Sequence, residues 1–285
     1  MKTRALLVGA ATMIAAGLLG TTLEPQASTV PQVIENAGYY RMRVGDFEIT
    51  ALSDGAHPAA APVNGYLVNT GQNLLLIDTG AGTLLGPGLG KLVDNLRTAG
   101  YQPEQIDEIY ITHIDPNHVG GLLLERKATF TRAIVRVARA AADYWQAKSS
   151  MAAVSVAEHQ RFAAVAATFK PYSVAGRLKT FDAETELLQG VRALPDAVGT
   201  APGSTVYLVE SRGEKIVFWG DTLNAAAVKS RDRTVAAAAQ RNALLLNAAE
   251  HGNWVAAAQL PFPGIGHVRA AAHGLIFLPA DPTVP

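Results

Sequence analysis

From Tyr39 onward the chain alternates short apolar runs with Gly-containing turns. Tyr40 to Ser53 alternates around Gly45-Asp46, and Val63 to Thr70 is separated from Asn73 to Asp78 by Gly71-Gln72. Apolar runs flanking such turns predict two β-hairpins. Leu89 to Ala99 has helical periodicity and stops at Gly100, and Ile106 to Thr112 predicts a buried strand. Ala138 to Phe169 is Ala-rich and predicts helix, with Trp145 and Phe162 as its largest side chains. Strands return at Thr205 to Glu210 and Lys215 to Trp219. A long helix is predicted from an Asp232 N-cap to about Glu250, followed by a strand over Trp254 to Leu260. Strand-rich halves, each with its own helices and with no Pro/Gly/Ser-rich linker between them, predict a layered α/β sandwich in one domain.

The first residues follow another logic. Met1-Lys2-Thr3-Arg4 is basic, Ala5 to Leu19 is apolar, and polar and turn residues run from Thr21 to Ala27. That order predicts a signal peptide over residues 1–27 and an exported protein, periplasmic or secreted, with the domain over residues 28–285. The apolar run is shorter than the roughly 20 residues that cross a bilayer, so no membrane association is expected once the signal is removed. Lys+Arg 24 balance Asp+Glu 24, which gives no basic footprint for nucleic acid. The chain has no Cys, which excludes disulfides, thiolate metal sites and cysteine nucleophiles.

Candidate chemistry concentrates in Thr112-His113-Ile114-Asp115-Pro116-Asn117-His118-Val119-Gly120-Gly121. Two of only 7 histidines lie here with a carboxylate, directly after an apolar strand. Imidazole and carboxylate donors suit zinc and neighbouring divalent ions, and a loop at a strand end can converge them. Other strings are weaker. Asp78-Thr79-Gly80 has the local form of an aspartic protease motif but lacks a second copy, since Asp221 is followed by Thr222-Leu223. Gly80-Ala81-Gly82 lacks the third glycine of a dinucleotide fingerprint and reads as a tight βα turn.

The segment from Thr112 to Gly121 resembles the metallo-β-lactamase superfamily signature, T-H-x-H-x-D-H followed by G-G. Gly45 to Gly55, Leu76 to Gly80, Phe218-Trp219-Gly220-Asp221 and Pro261 to Val268 are similar to the exported group containing methyl parathion hydrolase and acyl-homoserine lactonases. The resemblance implies a four-layer αββα sandwich and hydrolysis of an ester, lactone or organophosphate by metal-activated water. It places metal ligands at His118, Asp221 and His267, the main set, with His113 and Asp115 completing a weaker first site. Asp221 would bridge two metal positions and Asn117 would orient the hydroxide. Asp78 would be a buried strand-end residue supporting the site loop, and Trp145 and Phe162 would wall the substrate pocket.

Three positions depart from that pattern: Asp115 replaces His, Asn117 replaces Asp, and Thr200 replaces His. The expected cofactor is therefore one zinc ion rather than two, with manganese or another oxygen-preferring divalent ion as an alternative. The expected partner is a small-molecule substrate, and a homodimer is left open. The alternative implied by the same departures is a catalytically impaired protein that keeps the fold for a binding or structural role.

Overall fold

The computed structural model describes residues 38–56, 62–147, 155–199, 201–224, 228, 235, 242–272 and 274–280. The segment 1–27, His57, Thr200, Asp232 and His273 lie outside the described residues.

The first hairpin pairs β1 (Tyr39–Val44) with β2 (Phe47–Ala56) across Gly45-Asp46. The second pairs β3 (Pro62–Asn69) with β4 (Leu74–Ile77) across Gly71-Gln72. Helix α1 (Leu92–Thr98) ends before Gly100 and buries Leu92 and Leu96. It leads to β5 (Glu108–Tyr110), which continues the sheet in parallel with β4. A four-residue helix, α2 (Pro116–Val119), follows, then a small ladder of β6 (Leu123–Leu124) and β7 (Lys127–Ala128). After β8 (Ile134–Ala138), the Ala-rich stretch forms two helices, α3 (Arg139–Gln146) and α4 (Val156–Val174), which precede β9 (Leu178–Phe181). The first sheet has seven strands in the order β1-β2-β3-β4-β5-β8-β9.

The second sheet contains β10 (Thr185–Leu188), β11 (Val191–Pro195), β12 (Thr205–Ser211), β13 (Glu214–Asn224), β14 (Trp254–Gln259), β15 (Ile265–Ala271) and β16 (Gly274–Pro279), in that order. All its pairings are antiparallel except β13 with β14, which are joined through α5 (Ala243–His251). That helix starts later than the sequence pattern predicts. Its N-cap is Asn242, whose side chain accepts from Leu244 N at 2.9 Å, so the cap chemistry sits at Asn242.

The sheets face one another over the main core, where Tyr66 lies 5.2 Å from Phe218 and Tyr110 stacks on Tyr207 at 5.4 Å. Central strands are covered on both faces, so β3 has six consecutive buried residues instead of an alternating pattern. A second cluster lies on the outer face of the second sheet, where Trp219, Val255, Val268 and Phe277 pack with Leu245 and Ala248 of α5. Helices α1 and α4 bring Leu92, Leu96, Val165 and Tyr172 to the main core. The architecture is thus mixed α/β, two sheets flanked by helices. Among the described residues no helix is long and apolar enough to cross a membrane.

Hydrogen bonds fix one sheet against the other at the end that carries the polar cluster. Tyr66 OH donates to Ala257 O at 2.7 Å, and Asn64 Nδ2 donates to Ala258 O at 3.1 Å and Leu260 O at 2.8 Å. Thr205 N donates to Thr112 O at 2.7 Å, and Tyr207 OH donates to Ile111 O at 2.7 Å.

Candidate metal centre

The site is built where three strand ends meet. Asp78 follows the end of β4, Thr112 and His113 follow β5, and the later part of β13 carries Asp221. Asp78 adopts a left-handed backbone conformation (φ 58°), uncommon for a residue with a side chain, and is only 2% exposed. Its carboxylate accepts from Thr112 N at 2.8 Å, from Thr112 Oγ1 at 2.7 Å and from His118 Nδ1 at 2.7 Å. The backbone strain is held in place by three bonds, one of which also fixes the His118 ring.

His118 is fully buried on α2, and its carbonyl is bound by Thr79 N at 2.8 Å and Thr79 Oγ1 at 2.9 Å. The adjoining Gly120-Gly121 follows from this close approach: a Cβ on Gly121 would lie 2.0 Å from Thr79 O. Gly220, just before Asp221, is constrained likewise, because a Cβ there would sit 2.9 Å from His113 Nδ1.

With Nδ1 committed to Asp78, the other His118 nitrogen, Nε2, faces Asp221 Oδ1 at 2.9 Å, while His113 Nε2 lies 3.3 Å from Asp221 Oδ2. One donor atom from each of His113, His118 and Asp221 lies within 4.8 Å of the others. Burial works against charge on His118, but the Asp78 and Asp221 carboxylates on its two sides prevail and its pKa is pushed up to about 10. Burial works to raise the Asp221 pKa. The charge of His118 and hydrogen bonds from both imidazoles outweigh that, so Asp221 titrates well below the usual carboxylate range. Burial, followed by the charge on His118, lowers the His113 pKa, so the proton of the imidazole pair belongs to His118.

These donors fit a single divalent ion. A catalytic zinc site takes three protein ligands and keeps an open position, and its ligating histidine donates its second N–H to a carboxylate. Asp78 supplies that carboxylate to His118. Beside the helix turn, Asn117 is 9% exposed and its Oδ1 has no hydrogen-bond partner, an unfilled acceptor in a buried place. His113 and Asp221 line a cavity of about 330 Å³, shared with Asp196, Ser204, Thr222 and Asn224.

The other sequence-predicted residues lie elsewhere. Asp115 caps α2, accepting from Asn117 N at 3.4 Å, and its carboxylate pairs with Arg161 of α4. It does not join the three clustered donors. His267 does not join them either, and the register gives the reason. It pairs with Trp254, which pairs with Ile216, and Asp221 lies five residues further along β13. The in-register steps from Ile216 to Trp219 alone take up roughly 10 Å along the strands, before the bulge that holds Asp221. The His267 ring instead packs on Trp254 at 3.9 Å, with Nδ1 near Asn253 O. Trp145 and Phe162 pack on each other at 4.1 Å, and Trp145 lines a separate cavity of about 230 Å³ with Ile114, Phe169 and Lys170.

Sequence reasoning missed Gln259. It ends β14, and its Nε2 donates to Asp221 Oδ1 at 2.6 Å. The signal was present: Pro261-Phe262-Pro263-Gly264 is a turn, so the chain reverses after Gln259 and carries His267 away from the site.

The superfamily profile described as "Metallo-beta-lactamase superfamily" matches residues 59–263. The chain belongs to the metallo-beta-lactamase superfamily. Among solved structures it is similar to hydrolase AbOPH of the beta lactamase superfamily, with 29% identity and a TM-score of 0.77, covering 87% of this chain and 99% of that one. It also shares its fold with AidC, a dizinc quorum-quenching lactonase in complex with the product N-hexanoyl-L-homoserine. There the identity is 22% and the TM-score 0.73, covering 86% and 98% of the two chains. No curated protein sequence matches the chain. Superfamily membership, the fold and a three-donor cluster together make this a metallo-hydrolase scaffold with a candidate metal site.

Proposed function

We propose that the protein is a metal-dependent hydrolase acting on a small ester, lactone or phosphotriester, with one divalent ion held by His113, His118 and Asp221. The observation that carries this reading is the Asp78–His118 bond at 2.7 Å with the opposite ring nitrogen facing Asp221. A buried carboxylate of that kind selects the tautomer whose Nε2 lone pair is free to ligate. A bound ion would acidify a water molecule towards pKa ~7 and polarise the substrate oxygen. Asp78 and Thr112 would hold His118 in orientation, and the cavity beside His113 and Asp221 would receive the substrate. Asn117 would offer its unpaired Oδ1 as a hydrogen-bond acceptor close to the reacting water. The similarity to AbOPH and AidC supports the reaction class.

Zinc suits the two imidazoles, and manganese remains the alternative for a site that recruits further oxygen donors. The test joins metal analysis with hydrolysis of a lactone and phosphotriester panel. We expect at most one tightly held ion per chain, with hydrolysis abolished by EDTA and restored by zinc or manganese. Hydrolysis indifferent to EDTA would reject the reading.

A second reading is favoured by one feature, the occupation of potential ligand positions by other bonds: Asp115 is engaged by Arg161, and Gln259 bonds to Asp221. On that reading the chain keeps the fold for binding and has lost turnover. A protein that neither binds nor is stabilised by any divalent ion would establish it.

A further inference from the structure

We infer that Gln259 occupies a ligand-competent position of the metal centre and, as an amide, holds that centre to three protein donors. The inference rests on the proposed metal site and adds to it the residue that sets its affinity.

The geometry is specific. Asp221 Oδ1 is approached by His118 Nε2 at 2.9 Å and by Gln259 Nε2 at 2.6 Å. A side chain from position 259 therefore reaches the same oxygen as a residue of the donor cluster. The backbone that presents it is fixed. Ala258 and Leu260, its two neighbours, are buried, and both their carbonyls accept from Asn64 Nδ2, at 3.1 and 2.8 Å. Gln259 stands in register with Asn224 of β13, whose Nδ2 donates to Asp221 O at 2.6 Å. A rigid strand end thus aims a side chain at the centre from the β14 side, where neither imidazole is anchored.

The chemistry of an amide explains why this position adds no ligand. Its NH₂ group has donors and no available lone pair, and facing a carboxylate it satisfies that carboxylate as a proton donor. Rotating the amide would lose the bond to Asp221 and offer only a neutral carbonyl oxygen, which is not among the thiolate, imidazole and carboxylate donors that zinc takes. The amide also competes with an ion for Oδ1. An imidazole or a carboxylate at the same place would bring a lone pair to the cluster, converting three protein donors into four, the number of a closed structural zinc site.

The experiment is a zinc titration against a chromophoric chelator at pH 7, with wild type, Gln259→His and Gln259→Glu compared. Thermal unfolding is followed in EDTA and in excess zinc. We expect both variants to bind zinc roughly tenfold or more tighter than wild type, the scale on which single partners tune metal sites. Gln259→Glu places like charge beside Asp221, so it should unfold earlier than wild type in EDTA yet gain more from zinc. Because Glu is nearly isosteric with Gln, that variant reports even if the imidazole is too bulky to fold. The gain in affinity should vanish when Asp221→Asn is added, since Asp221 belongs to the same centre.

Wild-type zinc binding with no gain in either variant would overturn the role of Gln259 and leave the three-donor site standing. A gain that survives Asp221→Asn would also overturn it, by locating the new ligand elsewhere. Zinc binding by none of the proteins would overturn the metal reading itself, and this inference with it. A wild type that fails to bind beside a Gln259→His variant that does would support the inference.

Discussion

His118 is the residue on which the site turns, because its two ring nitrogens are claimed by different carboxylates. In the metal-free protein it is an imidazolium with its pKa pushed up to about 10, against an ordinary value of 6.5. A raised folded-state value means the stabilisation is fully present below pH 6.5 and fades as pH climbs from there towards 10. Asp221 acts in the opposite sense: depressed in the folded state, its contribution is lost as pH falls through and below the ordinary carboxylate range. The pair titrates as a unit, so the two effects are not added. We expect the midpoint of urea unfolding in EDTA to decline steadily between pH 6.5 and 10; a midpoint that rises across that interval would contradict the charge assignment. Zinc must displace the Nε2 proton, so binding at pH 7 should release a proton, read by calorimetry in buffers of different ionisation enthalpy. Asp78 can be tested at the same scale. Asn tolerates a left-handed backbone, so Asp78→Asn should fold, but its NH₂ would drive the His118 proton to Nε2. Zinc affinity should fall about 10–100-fold with the circular dichroism spectrum unchanged.

Among the elements, those signalled by local chemistry were legible and those decided by register were not. The two N-terminal hairpins announce themselves by Gly45-Asp46 and Gly71-Gln72 between apolar runs. His113, His118 and Asp221, the three donors that the structure gathers, stood out because each belongs to a recognisable string: the loop and short helix after β5, and Phe218-Trp219-Gly220-Asp221 in β13. Asp115 and His267 were misleading for a physical reason: a residue type does not reveal its bond partner. Asp115 sits before Pro116 at the start of α2, where a carboxylate caps exposed N–H groups and meets Arg161 across the gap to α4. His267 follows a turn, and antiparallel pairing takes it back along β14 as far as Trp254. The Asn242 cap was missed because Asp232 offered the same chemistry earlier in the chain. Asp115→Asn keeps an acceptor for the cap and removes half of an ion pair that is partly open to water. It should cost less than about 1 kcal/mol in urea unfolding and leave zinc affinity unaltered. A tenfold loss of zinc affinity in that variant would show that Asp115 is a ligand after all.

At the scale of the molecule, the three donors stay together only while the two sheets keep their alignment. Asp78 and His118 lie on segments that follow β4 and β5 of the first sheet, and Asp221 and Gln259 lie in strands of the second. Apolar packing between the sheets is strong but weakly directional, and hydrophobic contact alone tolerates small sliding. The polar ties at the site end supply direction. Asn64 on β3 is fully buried and its Nδ2 holds Ala258 O and Leu260 O on either side of Gln259. Replacing it with Leu keeps comparable bulk but leaves both carbonyls without that donor in a dry interior. Each abandoned group costs about 1–3 kcal/mol, so Asn64→Leu should lose roughly 2–6 kcal/mol in urea unfolding. The loss has a location as well as a size. The strand end at Gln259 would loosen first, so amide hydrogen exchange should accelerate at Ala258 to Gly264 more than in the β1–β2 hairpin, which Asn64 does not tie to the second sheet. If the metal centre depends on that tie, zinc affinity should fall in the same variant although Asn64 touches none of the three donors. Uniform acceleration of exchange with zinc affinity intact would mean that apolar packing alone aligns the sheets, and that Asn64 contributes stability without placing the site.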